Sequence, residues 1–145
     1  MCIGDFNEIT GRDEKVGGNP RPARQMDRFR GIIHLCAFHD LGFVGSPFTW
    51  SKINGEEGRI RVRLDRALAN NEWITKFPGV ALHHIFTSTS DHSLLALRFP
   101  RAGHQPRKGS SYFVLRPYGL GILGVMKWSK RLGRRVYLNR MDVSL

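Results

Sequence analysis

Arg59-Ile60-Arg61-Val62-Arg63-Leu64-Asp65 alternates strictly between apolar and charged residues, which puts Ile60, Val62 and Leu64 on one face of an extended segment and three arginines on the other. That is the pattern of a half-buried antiparallel strand. Just upstream, Asn54-Gly55-Glu56-Glu57-Gly58 supplies a polar turn with glycine wherever φ must be positive, and Phe48-Thr49-Trp50-Ser51 is aromatic and β-branched. The two extended runs therefore read as a hairpin. Asp40-Leu41-Gly42-Phe43 and Gly45-Ser46-Pro47 punctuate the turn that leads into it. Further back, Met26, Phe29, Ile32, Ile33, Cys36 and Ala37 recur at spacings of three and four, which predicts an amphipathic helix over 25–38 lying on a core. Residues 10–24 carry Gly11, Gly17, Gly18, Asn19, Pro20 and Pro22 among charges and read as a loop. Cys2-Ile3 reads as the end of a short buried strand that breaks at Asp5. Downstream of the hairpin, a short helix is predicted over 71–76, before Pro78-Gly79, and strands over 80–86 and 94–99 flank a polar link at 87–93. The fold class is mixed α+β or α/β, with mostly antiparallel sheet.

At 145 residues and 41% hydrophobic content, the chain can bury one ordinary core. No run approaches the roughly 18 apolar residues of a membrane span, and the first residues lack a signal peptide's basic and apolar regions. The expectation is a soluble, intracellular protein without a membrane segment. Cys2 and Cys36 form neither a C-x-x-C pair nor a zinc spacing and read as reduced thiols. The net charge of +11 is unevenly spread. Residues 1–100 hold 13 Lys and Arg against 11 Asp and Glu, a net of +2, whereas residues 101–145 hold 10 against 1, a net of +9. The chain thus divides into a domain over 1–100 and a basic, Gly-rich tail over 101–145 that reads as disordered or unrelated to that domain. Such a tail attracts polyanions by counterion release, although a merely solvated tail has the same composition.

Two short segments carry the candidate chemistry. Asp5 and Asn7 leave a strand end two residues apart, which in extended geometry aims both side chains at one face, with Glu8 beside them. Asp91 and His92, in Ser90-Asp91-His92, lie on a strand-connecting loop and offer a hard oxygen ligand beside an imidazole able to donate to a phosphoryl oxygen. Asp65 closes the arginine-rich strand, and a carboxylate that accepts from one imidazole nitrogen fixes the tautomer of the other. Each has an ordinary structural reading too. Asp-x-Asn forms turns, Ser-Asp-His caps, and Asp65 is within reach of Arg63 or Arg66 as an ion-pair partner.

Gly4-Asp5-Phe6-Asn7, Phe48-Thr49-Trp50, Arg63-Leu64-Asp65-Arg66 and Ser90-Asp91-His92, in that order, resemble the second half of the endonuclease/exonuclease/phosphatase superfamily, which includes deoxyribonuclease-I-like enzymes. The likeness is greatest to the endonuclease domain of plant LINE-type (non-LTR) retrotransposons. There Gly-Asp-Phe-Asn-Glu precedes a Met-x-x-Phe-x-x-x-Ile helix, matched from Met26 to Ile33, and an Asp-Leu-Gly-Phe-x-Gly-x-x-Phe-Thr-Trp run, matched from Asp40 to Trp50. Leu-Asp-Arg-x-Leu is matched from Leu64 to Leu68. The resemblance covers roughly residues 1–100 and implies the C-terminal half of a four-layer α/β sandwich with helices on one side.

It implies that Asp5 activates or positions an attacking water, Asn7 hydrogen-bonds the transition state, His92 contacts the scissile phosphate and Asp65 orients His92. Asp91, with Asp5, would help to hold Mg²⁺ or Mn²⁺, and the ancestral reaction would be hydrolysis of DNA phosphodiester bonds. Family members carry about as much chain again before Gly-Asp-Phe-Asn, including the Glu that is their principal metal ligand. The expectation is therefore a truncated domain that binds metal weakly and has little or no nuclease activity alone.

A second expectation is a non-catalytic nucleic-acid-binding remnant in which the tail and Arg59, Arg61 and Arg63 contact phosphates. A third is a phosphatase of the same superfamily. DNA is the expected partner in the first two. Gly119-Leu120-Gly121-Ile122-Leu123-Gly124 matches G-x-G-x-x-G but follows Pro117 rather than a clean strand and has no βαβ unit around it, so no small-molecule cofactor is expected. The cluster Lys-Trp-Ser-Lys-Arg-Leu-Gly-Arg-Arg at 127–135 is of the nuclear-import or nucleic-acid-binding kind, or simply solvated charge. His83 and His84 alternate across a predicted strand, and His34 and His39 lack company at ligand spacing, so these histidines read as structural.

Overall fold

The computed structural model describes residues 1–53, 55, 58–100, 112–115 and 124–125. The fold is mixed α+β, with three small sheets and two helices among the described residues. Strands β1 (Cys2–Asp5), β2 (Lys15–Val16) and helix α1 (Ala23–Leu35) are followed by β3 (Phe38–Asp40), β4 (Val44–Gly45), β5 (Trp50–Ile53), β6 (Arg59–Val62) and β7 (Asp65–Asn70). Helix α2 (Asn71–Lys76) then leads to β8 (Ala81–Ile85), β9 (Leu94–Arg98), β10 (Tyr112–Leu115) and β11 (Gly124–Val125). One sheet has the order β11-β1-β7-β3, a second β10-β9-β8-β4, and a third β2-β6-β5. All pairings are antiparallel except β4 with β8. Two segments of the basic region thus extend sheet edges, β10 on β9 and β11 on β1. Residues 127–135 and most of the G-x-G-x-x-G stretch lie outside the described residues.

Ile3, Ala67, Leu82, Leu95 and Leu97 form one core cluster, drawn from β1, β7, β8 and β9, so it joins the two four-stranded sheets. Ile9, Met26, Val62 and Leu64 form a second, with Trp50 and Ile60 against it, under α1 and the β5–β6 hairpin. The alternation of the hairpin's return strand survives in Val62 and Leu64, which are buried as the pattern requires.

The arginine-rich run is not one strand. It leaves the third sheet at Val62, crosses through Arg63 and Leu64, and enters the first sheet at Asp65, a strand for which the sequence reading gave no element. Alternation therefore fails at Arg63, whose side chain turns inward. Arg63 donates to Glu14 at 3.0 Å and Asp40 at 2.9 Å, and Arg66, wholly buried, donates to the same two carboxylates at 2.8 and 3.0 Å. Local pairing delivers the acids. Lys15 pairs with Val62 and the Arg63 amide donates to the Glu14 carbonyl, while Asp40 arrives opposite Leu68 on β3. Buried charges persist when paired, and here each arginine's terminal nitrogens meet both carboxylates where the chain changes sheets, while among the described residues the two arginine Nε atoms find no partner.

Two further expectations need correction. Residues 10–24 are not all loop, since a 3₁₀ turn (Arg12–Glu14) and β2 lie within them. Helix α1 ends at Leu35, three residues early, because Ala37 takes φ +50° and the Cys36 and Ala37 amides fold back onto the Ile32 and His34 carbonyls. Of its predicted stripe only Met26 and Phe29 are buried, and Ile32 is 58% exposed. Helix α2 falls on the predicted 71–76 and is capped by Asn70, whose Oδ1 accepts from the Trp73 amide at 3.1 Å.

Candidate functional site

Two sheets and the loop leading into the third meet at one point. β1 ends there at Asp5, β7 begins there at Asp65, and β5 begins there at Trp50. The loop before β9 is zipped onto this junction: the Ser51 amide donates to the Asp91 carbonyl at 3.0 Å, the Ser93 amide donates to the Thr49 carbonyl at 2.7 Å, and Trp50 and His92 form a β-bridge. His92, 27 residues downstream of Asp65, is thereby delivered to it, and His92 Nδ1 lies 2.9 Å from Asp65 Oδ2. Asp65 is fully buried, whereas the His92 side chain keeps 17% exposure. With Nδ1 committed to the carboxylate, Nε2 is the nitrogen left for a ligand.

Thr49 holds this arrangement in place. Its buried hydroxyl oxygen accepts from the amides of both Leu64, at 3.0 Å, and Asp65, at 2.9 Å, while its own amide donates to the Val62 carbonyl. The sequence reading used Thr49 only as part of the Phe-Thr-Trp motif. A threonine between two aromatics gives no sign that its hydroxyl pins another strand.

Asp5 faces Asp65 directly across the β1–β7 ladder. Burial is the main force raising its carboxyl above the ordinary aspartate value; the amide of Asn7 and the charge of His92 pull down, and the charge of Asp65 pushes up. His92 is held above the ordinary imidazole value chiefly by its hydrogen bond to Asp65, against its own burial, with the charges of Asp65, Asp5 and Asp91 adding to the rise. The three groups form an acid–imidazole–acid cluster in which protonated His92 is stabilised.

Asn7 is not in the extended geometry that was expected. It takes φ +54°, its amide donates to Asp5 Oδ1 at 2.8 Å, and its carbonyl accepts from Arg21 at 2.9 Å. The Asp-x-Asn turn is therefore present, and among the described residues no bond ties the Asn7 amide side chain to Asp65 or His92. Asparagine tolerates this backbone better than most residues. Glu8 sits beside the turn and pairs with Arg21.

Asp91 is exposed, and its Oδ2 accepts from the Trp50 indole at 2.9 Å. Among the described residues, no group of three or more His, Cys, Asp or Glu side chains is arranged to hold a metal ion. Asp5 Oδ1 accepts from the Asn7 amide and Asp91 Oδ2 from the Trp50 indole, which leaves the second oxygen of each carboxylate for another partner.

Beside His92 opens a cleft of about 200 Å³, lined among others by Trp50, Arg59, Arg61, Phe86, Asp91 and His92. Arg59 and Arg61 are exposed there, and the Arg61 guanidinium lies 4.9 Å over the Phe48 ring. Arg63, expected with them as a phosphate contact, is instead locked in the buried quartet and does not reach solvent. His84 is buried, bonds the Ser46 carbonyl through Nδ1 at 2.8 Å and stacks on Phe43, and burial pushes its imidazole below the ordinary value. No protein-family model matches the chain, and neither a curated protein nor a solved structure matches it. Among the described residues, no helix is long and apolar enough to cross a membrane.

Proposed function

We propose that residues 1–100 form a nucleic-acid phosphodiester-binding domain of the endonuclease/exonuclease/phosphatase kind, corresponding to half of that family's four-layer α/β sandwich. The single observation that carries this reading is the 2.9 Å contact between Asp65 and His92, made between residues distant in sequence at a junction that also presents Asp5. His92 acts as the donor to a phosphoryl oxygen through Nε2, and Asp65 is its positioning residue. Asp5, raised by burial, sits where it can hold or accept a proton from water. Arg59 and Arg61 supply bidentate donors for the neighbouring phosphates, and a DNA chain is the substrate class that repeats phosphates along such a cleft. His92 within hydrogen-bond reach of charge developing on oxygen is the electrostatic element of phosphoryl chemistry.

Hydrolysis is a separate matter from recognition. In the family, Mg²⁺ or Mn²⁺ stabilises charge on the phosphate oxygens; here Asp5 and Asp91 are the carboxylates that would hold it, and two carboxylates bind Mg²⁺ weakly, so we propose DNA binding with weak cleavage. The test is supercoiled plasmid incubated with the protein and Mg²⁺ or Mn²⁺, repeated with Asp5→Ala and His92→Ala. Salt-sensitive binding with nicking near background is expected. Robust nicking abolished in both variants would reject the weak cleavage, and failure to bind DNA at low salt would reject the whole reading.

A further inference from the structure

The cleft beside the acid–imidazole cluster has one wall that phosphate chemistry leaves unused. Phe86 lines it and yet is 81% exposed. Scattered apolar residues on a surface are ordinary. This ring, however, stands in the same small cleft as the exposed Arg59 and Arg61 and His92. The segment after it is braced, with Thr87 Oγ1 accepting from the Thr89 amide at 3.3 Å and lying 2.9 Å from the Thr89 hydroxyl.

A nucleotide presents the complementary pair of groups. Its base has a π-face for the ring, and its phosphate has oxygens for Arg59, Arg61 and His92. A paired duplex does not, because its base faces are already covered by their neighbours. The cleft, at about 200 Å³, is also smaller than the roughly 300–1,000 Å³ that encloses a drug-sized ligand, which suits one splayed base at its rim.

We propose that Phe86 is a stacking platform for one unstacked base, so that the site prefers single-stranded or locally opened nucleic acid over a fully paired duplex. The proposal rests on the phosphodiester reading above and adds the form of the substrate to it. Sequence-independent stacking of this kind needs no hydrogen-bond readout of the base, which agrees with a wall that is a plain phenyl ring.

The test is fluorescence anisotropy on the full chain at one fixed salt concentration, with a labelled oligothymidylate, the same strand annealed to its complement, and the same backbone carrying abasic sites. Wild type should bind the single strand more tightly than the duplex or the abasic strand. Phe86→Ala should weaken single-strand binding about tenfold, the size of one base–aromatic stack, and leave duplex binding unchanged. Phe86→Trp should restore the preference, and Phe86→Leu, apolar but unable to stack, should not. Because Phe86 is exposed, these variants keep the fold. An unchanged single-strand-to-duplex ratio in Phe86→Ala, with Arg59→Ala and Arg61→Ala weakening both ligands, would overturn the stacking role and leave the phosphate reading standing. Arginine variants that alter neither would remove the reading beneath it.

Discussion

Replacing Glu14 by Gln should cost the protein about 3–5 kcal/mol of stability, the range for breaking a buried ion pair from one side. Glu14 accepts from Arg66 at 2.8 and 3.2 Å and from Arg63 at 3.0 Å, and neither arginine reaches water to a useful degree. Gln keeps the shape but leaves two buried guanidinium groups sharing the charge of Asp40, whose side chain is 28% exposed. With a urea slope of about 2 kcal/mol per molar, the unfolding midpoint should fall by about 2 M while the slope stays unchanged. The pH dependence gives a second reading. Burial acts to raise the Glu14 carboxyl, but the Arg66 hydrogen bond and charge, the Thr10 amide and the Arg63 charge outweigh it, and the group lies below the ordinary 4.5. A depressed folded value means that the stabilisation is complete above the unfolded value and is lost as pH falls through the folded one. The gap between wild type and Glu14→Gln should therefore be full at neutral pH and shrink progressively below about pH 4.5. A gap under 0.5 kcal/mol at neutral pH, or one independent of pH, would refute the reasoning.

Thr49→Val keeps the shape of a buried side chain but strips the acceptor from two buried amides. It should destabilise by about 1–3 kcal/mol in denaturant melts. Because Asp65 is one of the two residues pinned, the same variant should also bring the His92 pKa down toward the ordinary value, which an NMR titration would read. Removal of the arginine charges has a different signature. Arg59→Ala and Arg61→Ala should each reduce the dependence of DNA affinity on log salt by roughly one unit, whereas Arg63→Ala should unfold the quartet and lower the melting temperature. Equal salt slopes in wild type and the Arg59 and Arg61 variants would place the phosphate contacts elsewhere.

The sequence was informative wherever one local pattern decided the outcome. Helix α2 and strands β8 and β9 were legible because helix stops and β-branched, aromatic or alternating content act over a few residues. The run from Arg59 to Asp65 misled at its end, because alternation assumes one sheet and cannot register that the chain leaves it at Val62. Arg63 was read as a phosphate contact on the open face for the same reason: its partners, Glu14 and Asp40, lie 49 and 23 residues away, a distance that only tertiary structure closes. The stripe of α1 was real as a pattern, but among the described residues Ile32 and Cys36 find no cover, Ile32 being 58% exposed. Of the site, the motifs named Asp5, Asn7, Asp65, Asp91 and His92, and the fold unites Asp5, Asp65 and His92; the roles of Thr49 and Trp50 depended on cross-sheet hydrogen bonds that no spacing encodes.

The most direct measurement is an NMR titration of the His92 ring, in wild type and Asp65→Asn, with and without a short DNA oligonucleotide. A folded value above the ordinary 6.5 is expected in wild type, so that its contribution to stability is complete below that pH and fades as pH rises through the raised value. Asp65→Asn should bring the value down, and bound phosphate, an anion beside the imidazolium, should raise it further in wild type. A His92 that titrates at or below the ordinary value, ignores the Asp65 substitution and does not move when the oligonucleotide is added would contradict the account.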